Sequence, residues 1–300
     1  MSIIEEAARR LEQLRRSGID VSARELGPVT TPNLRNVAAR TEARGAAAPA
    51  PQGTASRMVE LDLPKLISEG FVVPSAPRTR LADEFRVIKR PLLANIHGLS
   101  ATPVRRANCI LLTSALAGEG KTFSAVNLAL SLASEVDSRV LLIDCDAVRP
   151  QLMERLGLDN ESPGLLNMLR QSELALCDVI LRTNIPKLSL LPAGRSDSHA
   201  TELLASEAMR AIVDELATRY QDRILVFDAP PLLAAPETRI LASLVGQIVV
   251  VVEARKTSQQ TVIDAIAQLE SCPVVMTILN KATGPGQAAY GQAYEYAGNP

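Results

Sequence analysis

The residues whose types and spacing could do chemistry fall in three short stretches. In the first, Ala115-Leu116-Ala117-Gly118-Glu119-Gly120-Lys121-Thr122 separates the apolar run Cys109 to Leu112 from a helical pattern carried by Asn127, Leu128, Leu130 and Leu132. A buried strand, a small-residue turn and Gly-Lys-Thr opening a helix come in the order a phosphate-binding loop requires. Successive backbone N–H groups of Ala117, Gly118, Glu119, Gly120, Lys121, Thr122 and Phe123 would wrap phosphates, helped by the partial positive charge of the helix N-terminus. Lys121 supplies a mobile positive charge for the β- and γ-phosphates, and the Thr122 hydroxyl offers one oxygen to Mg²⁺. Ala115 stands where the usual pattern has Gly. The apolar strand before Gly-Lys-Thr and the helix after it favour a nucleotide site over an ordinary strand-to-helix turn.

The second stretch, Val140-Leu141-Leu142-Ile143-Asp144-Cys145-Asp146, ends an apolar run on two carboxylates. Asp146 on its own would suit a turn cap. Two acids at the C-terminal edge of a strand beside a phosphate loop would instead face Mg²⁺ and the terminal phosphate, where charge must be held and a nucleophile positioned. The third stretch, Ile224-Leu225-Val226-Phe227-Asp228-Ala229-Pro230-Pro231, ends a strand on Asp228, and its two prolines stop a helix from following. That suits an acid holding Mg²⁺ through water.

The elements that must position these residues alternate along the chain. Leu188 to Leu191, Ile248 to Val252 and Val274 to Leu279 are further β-rich runs, and Ser206 to Tyr220 and Ser258 to Leu269 carry helical patterns. Apolar strands separated by helices predict an α/β fold of the P-loop NTPase kind: a mostly parallel sheet flanked by helices on both faces, with ligands at the C-terminal ends of the strands. Ahead of it, residues 1–20 read as an amphipathic helix and residues 21–57, rich in Pro, Ala, Gly and Thr, as a flexible linker. The catalytic domain is expected over 58–281, and 282–300 forms a tail. Within the domain, 79–97 is expected to be a helix with Leu81, Phe85, Ile88, Leu92 and Ile96 on one face, interrupted and kinked at Pro91. Asp83, Arg86, Lys89 and Arg90 would then lie on its solvated faces.

Composition narrows the function classes. A net charge of -1 gives no global attraction to nucleic acid or anionic lipid. The four cysteines lie singly, without metal-ligand spacing, and read as buried thiols of a reducing cytosol. No run reaches the ~18 apolar residues of a membrane span, and Glu5, Glu6, Arg9 and Arg10 do not suit a secretory signal. A soluble, cytoplasmic protein is expected, with any membrane link made through a partner.

Together, Ala115 to Thr122, Asp144 to Asp146 and Asp228 to Pro231 resemble the Walker A, Walker A′ and Walker B motifs of the bacterial tyrosine kinases of capsule and exopolysaccharide synthesis. The resemblance runs from about Leu81 to Pro300. It includes Leu191-Pro192-Ala193-Gly194, Glu202-Leu203-Leu204 and Asn280, and the opening Ser2-Ile3-Ile4-Glu5 together with Glu84 to Leu93 resembles the exosortase-associated autokinase branch. The resemblance implies ATP and Mg²⁺ as cofactors, Asp144 as the group that activates a tyrosine hydroxyl, Asp146 and Asp228 with Thr122 as metal ligands, and Asn280 as an adenine contact. It further implies self-association through Asp83, Arg86 and Lys89, an integral-membrane chain-length determinant that recruits and activates the kinase at the inner membrane, and an opposing tyrosine phosphatase.

Three of the four tyrosines, Tyr290, Tyr294 and Tyr296, fall in the final eleven residues. An extended chain from Lys281 to Tyr294 spans up to roughly 45 Å, enough to reach another subunit, so the resemblance implies autophosphorylation of this cluster in trans. The chain departs from the family at Val148, where Walker A′ usually carries Arg, although Arg149 follows. The alternative is therefore a nucleotide-switched scaffold of a polysaccharide export complex without efficient transfer. A partition ATPase is disfavoured because Leu116 replaces that group's signature Lys, and GTP because Asn280-Lys281-Ala282-Thr283 lacks the guanine-reading Asp.

Overall fold

The computed structural model describes residues 57–74, 76–171, 173–219, 222–270 and 272–283. The expected N-terminal helix and most of the linker, and with them the tail tyrosines Tyr290, Tyr294 and Tyr296, lie outside the described residues.

The described residues begin with strand β1 (Met58–Val59), helix α1 (Leu63–Ser68) and the long helix α2 (Arg80–Ile96). Next come β2 (Cys109–Ser114), α3 (Lys121–Ala133) and β3 (Arg139–Asp144). Short pieces come next: α4 (Leu152–Arg155), α5 (Leu165–Arg170), α6 (Leu176–Val179), β4 (Leu181–Thr183), β5 (Leu188–Leu191) and α7 (Ala200–Leu204). Helix α8 (Glu207–Arg219), β6 (Arg223–Asp228), α9 (Pro236–Leu244), β7 (Gln247–Glu253), α10 (Gln259–Ile266) with a 3₁₀ turn (Ala267–Leu269), and β8 (Val275–Asn280) complete it.

The eight strands form one sheet in the order β1-β4-β5-β3-β6-β2-β7-β8. All pairings are parallel except β4 with β5. Central strands must therefore be apolar on both faces, and they are: Ile110 and Leu112 face one cluster with Val140, Leu142, Ile224 and Val226, while Leu111 faces the other with Leu141, Leu225 and Ile248. Each such side chain, fully buried, contributes about 1.5 to 3 kcal/mol. Helices α2 and α3 cover the first face, and α8, α9 and α10 cover the second. The strand β6 lies between β3 and β2, with Asp144 and Asp228 in register. All three chemistry-bearing stretches thus leave the sheet at one edge.

The expectations for α2 are corrected in two respects. Pro91 does not interrupt the helix, which continues to Ile96. The missing N–H leaves only the carbonyl of Val87, a residue 65% exposed, so water can replace the lost donor. Lys89 is not on a solvated face. It lies four residues after Phe85 on the buried stripe, is 6% exposed, and its Nζ sits 2.6 Å from Ser131 O and 2.6 Å from the Glu135 carboxylate. Asp83 and Arg86 pair with each other at 2.9 Å on the exposed side. Lys89 therefore ties α2 to the C-terminal end of α3 within its own chain. Lys89→Ala should lower unfolding free energy by about 1 to 3 kcal/mol in urea titrations, whereas a surface lysine would change it by no more than about 0.5 kcal/mol.

Candidate nucleotide site

The phosphate loop is shaped by two glycines. Gly118 and Gly120 have φ of +85° and +97°, left-handed values that side-chain-bearing residues rarely adopt. Gly120 also has no space for a side chain, because a Cβ there would lie 2.1 Å from Asn280 Nδ2. It is the N-cap of α3 and offers no side-chain hydrogen bond, so the first N–H groups of that helix are left for an anion. Glu119 is expected among the phosphate contacts, yet its carboxylate turns inward. It is 1% exposed and accepts from Leu116 N at 2.7 Å, Glu253 N at 3.3 Å and the Thr257 hydroxyl. Only its backbone can face phosphate. The signal missed in the sequence is Glu253, the last residue of β7, with Thr257 just beyond it; together they pin the loop from the side.

Lys121 Nζ lies 2.7 Å from Asp146 Oδ2 and 3.8 Å from Asp228 Oδ1. Burial pushes the ammonium down, but the Asp228 and Asp146 carboxylates outweigh it and hold Lys121 above its ordinary value. Asp144 accepts the N–H of Asp146 at 3.0 Å, and Asp146 accepts that of Arg149 at 3.1 Å. Burial pushes Asp144 well above the carboxylate range, with Asp228 adding to it, and burial likewise raises Asp228 against the pull of Lys121. Cys145, between the two acids, is buried and raised by desolvation, so it stays a thiol and takes no part as a thiolate. Cys109 is also buried, but Cys177 and Cys272 are half-exposed, so only two of the four thiols are buried as expected.

Oδ2 of Asp144 is buried without a hydrogen-bond partner, and both oxygens of Asp228 are buried without a short hydrogen bond, with Lys121 3.8 Å from Oδ1 and the Thr122 hydroxyl beside the carboxylate. Orphaned carboxylate oxygens are costly unless something cationic meets them. Among the described residues no group of three or more His, Cys, Asp or Glu is placed to hold a metal alone. The donor set suits Mg²⁺, which commonly takes one or two carboxylates and fills its shell with water and phosphate. Asp146, Asp228 and the buried Thr122 hydroxyl are the residues that would hold it.

The raised acids also carry a stability signature. A carboxyl whose native pKa is raised contributes stability that is present below the ordinary carboxylate range and lost as pH rises through the native value. At neutral pH in Mg²⁺-free buffer, Asp144→Asn should therefore stabilise the fold, on the order of 1 to 3 kcal/mol. The gain should shrink as pH falls toward the ordinary carboxylate range, as followed by urea unfolding at several pH values.

Val148 and Arg149 are both exposed, on the loop that follows Asp146. Leu116 is 44% exposed. Asn280 donates to Glu119 O, so it stands against the loop. No helix of the described residues is long and apolar enough to cross a membrane.

This fold and site define a P-loop nucleotide-binding domain. Residues 107–275, more than half of the chain, match the family model AAA_31, described as an AAA domain, and the chain belongs to that family. It is similar to EpsB of Ralstonia solanacearum, 32% identical over 190 residues that cover 63% of this chain and 25% of EpsB. The chain thus spans a quarter of the length of that relative. It is 28% identical over 206 residues to the tyrosine-protein kinase YwqD of Bacillus subtilis (strain 168), covering 69% of this chain and 82% of YwqD. Among solved structures it resembles the VpsO kinase domain, with a TM-score of 0.58 at 32% identity over 67% of this chain and 95% of that one.

Proposed function

We propose that the protein is an ATP- and Mg²⁺-dependent protein tyrosine autokinase of the exosortase-associated kind, acting in exopolysaccharide or capsule synthesis. The observation that carries this reading is the trio of buried acids, Asp144, Asp146 and Asp228, gathered around Lys121 at the end of the phosphate loop. The kinase names of YwqD and VpsO support it. In this mechanism the loop N–H groups and Lys121 hold the phosphates and neutralise charge as it shifts. Asp144, whose burial raises its basicity, accepts the proton of a tyrosine hydroxyl. The phenolic oxygen bonds to the γ-phosphorus as the bond to ADP breaks. Bound Mg²⁺ supplies charge compensation on the phosphate oxygens.

The acceptors are Tyr290, Tyr294 and Tyr296 of a neighbouring copy. Self-association uses the exposed Asp83 and Arg86 and not Lys89, whose ammonium is already engaged inside the chain. An integral-membrane polysaccharide chain-length determinant recruits the kinase to the inner membrane, and a tyrosine phosphatase resets it; both follow from the family resemblance. The alternative, a nucleotide-switched scaffold, draws on Val148 at the usual Arg position.

Incubation of the purified full chain with ATP and Mg²⁺, followed by mass-spectrometric mapping, tests this. Phosphate is expected on the tail, and combined Tyr290→Phe, Tyr294→Phe and Tyr296→Phe should remove nearly all of it while ATP still binds. ATP turnover without phosphotyrosine would favour the scaffold, and phosphate mainly on Tyr220 would overturn the tail assignment.

A further inference from the structure

The phosphate loop is held from behind by the end of β8. Asn280 Nδ2 donates to Glu119 O at 2.8 Å, and Lys281 Nζ donates to Gly118 O at 2.7 Å. A trans peptide is planar, with its C=O and N–H directed oppositely. Tying the Gly118 carbonyl therefore turns the N–H of Glu119 away from Lys281, and tying the Glu119 carbonyl turns the N–H of Gly120 away from Asn280. Those two N–H groups lie between the Cα atoms of the left-handed glycines Gly118 and Gly120, the backbone arrangement that makes an anion-binding concavity.

The support is itself anchored. Lys281 Nζ lies 3.2 Å from Glu253 Oε2, and Arg255 donates to Thr283 O. Glu253 in turn donates its N–H to the buried Glu119 carboxylate. Lys281 and Arg255 both have left-handed backbone, with φ of +56° and +64°. That conformation is unfavourable for residues with side chains and persists where the surroundings over-determine it. The 2.1 Å approach of Asn280 Nδ2 to a Cβ built at Gly120 shows how closely the amide is seated on the loop.

We propose that Asn280 and Lys281 are positioning residues of the phosphate site, which fix the peptide planes of Gly118 to Gly120 so that their N–H groups converge on the bound anion. This rests on the reading of Ala115 to Thr122 as a nucleotide loop. It gives Asn280 a duty toward phosphate that does not depend on the base, and it assigns a duty to Lys281.

The test compares ATP with inorganic triphosphate, which has no base, using the full-length chain and equilibrium binding at low and high salt. Asn280 is uncharged, so a loss of triphosphate affinity in Asn280→Ala is neither a lost base contact nor a lost charge. Asn280→Ala and Lys281→Met are expected to weaken both ligands by the same factor, roughly fivefold to tenfold, and at both salt concentrations. Lys281→Arg, which keeps a charged donor, should recover most of the loss. Normal triphosphate binding by Asn280→Ala and Lys281→Met, whatever happens to ATP, overturns the inference. So does a Lys281→Met effect that vanishes at high salt, which marks a screened through-space attraction, or a Lys281→Arg variant as weak as Lys281→Met. The Lys281 side chain is 47% exposed, so Lys281→Met decides the matter if Asn280→Ala fails to fold. A wild-type chain that binds neither ligand removes the nucleotide reading itself, and the inference with it; binding by wild type and variants alike removes the inference alone.

Discussion

Asp144→Asn is expected to lower autophosphorylation by about 10² to 10⁴-fold, the usual cost of losing a well-placed base, while ATP affinity changes little. The reason lies in how the three acids divide their work. Asp146 Oδ2 meets Lys121 at 2.7 Å and Asp228 Oδ1 lies 3.8 Å from it, but Asp144 spends one oxygen on the N–H of Asp146 and leaves the other without a partner. Asparagine keeps the oxygen that orients the loop and loses only the proton acceptor. The same substitution should raise stability at neutral pH, so activity and stability move in opposite directions. That pairing separates a base from a structural acid. Unchanged phosphotyrosine formation in Asp144→Asn would sink the assignment, and a variant that is less stable at neutral pH would sink the account of its burial.

Lys121→Met should reduce phosphoryl transfer by about 10² to 10³-fold, on the scale of removing one electrostatic stabiliser from a reacting centre, and it should weaken ATP as well. A second readout follows from the carboxylates around the Lys121 ammonium. Lys121 lies against Asp146 and Asp228, which are 7% and 1% exposed, so its removal leaves two buried carboxylates without their cation. Melting temperature in Mg²⁺-free buffer should fall, and added Mg²⁺ should return part of the loss, because the carboxylates regain a positive partner. A Lys121→Met chain that transfers phosphate at the wild-type rate would remove Lys121 from the mechanism. A melting temperature that ignores Mg²⁺ would remove the acids as its ligands.

Much of this site was legible because its parts are local. Strand-end acids at Asp144 and Asp228 and the Gly-Lys-Thr turn are each specified by a few neighbouring residues, and the parallel sheet follows from apolar runs spaced by helices. What escaped depends on contacts distant in sequence. Nothing near Glu119 announces that its carboxylate will bond the N–H of Glu253 and the Thr257 hydroxyl, and nothing near Asn280 announces the Glu119 carbonyl. The short helices α4, α5, α6 and α7 carry too few turns to display a period, and β4 with its antiparallel pairing is three residues long. Lys89 differs from expectation for another reason. Its charge suggested solvent, whereas its spacing from Phe85 and Leu92 places it on the apolar stripe, where a carbonyl at a helix end and Glu135 satisfy it.

That buried lysine gives α3 a second anchored end. The helix begins at Lys121, where phosphate is to be gripped, and its thirteen residues make a rod about 20 Å long; near the far end, Ser131 O is bolted by Lys89 to the helix that carries Asp83 and Arg86. A rod fastened at both ends transmits displacement instead of absorbing it. A shift of the phosphate loop along the axis of α3 would therefore also load the Lys89 contact beneath α2. The reactive edge and the outer flank thus share one helix, held against α2 by the Lys89 ammonium together with the apolar packing of Phe85 and Leu92.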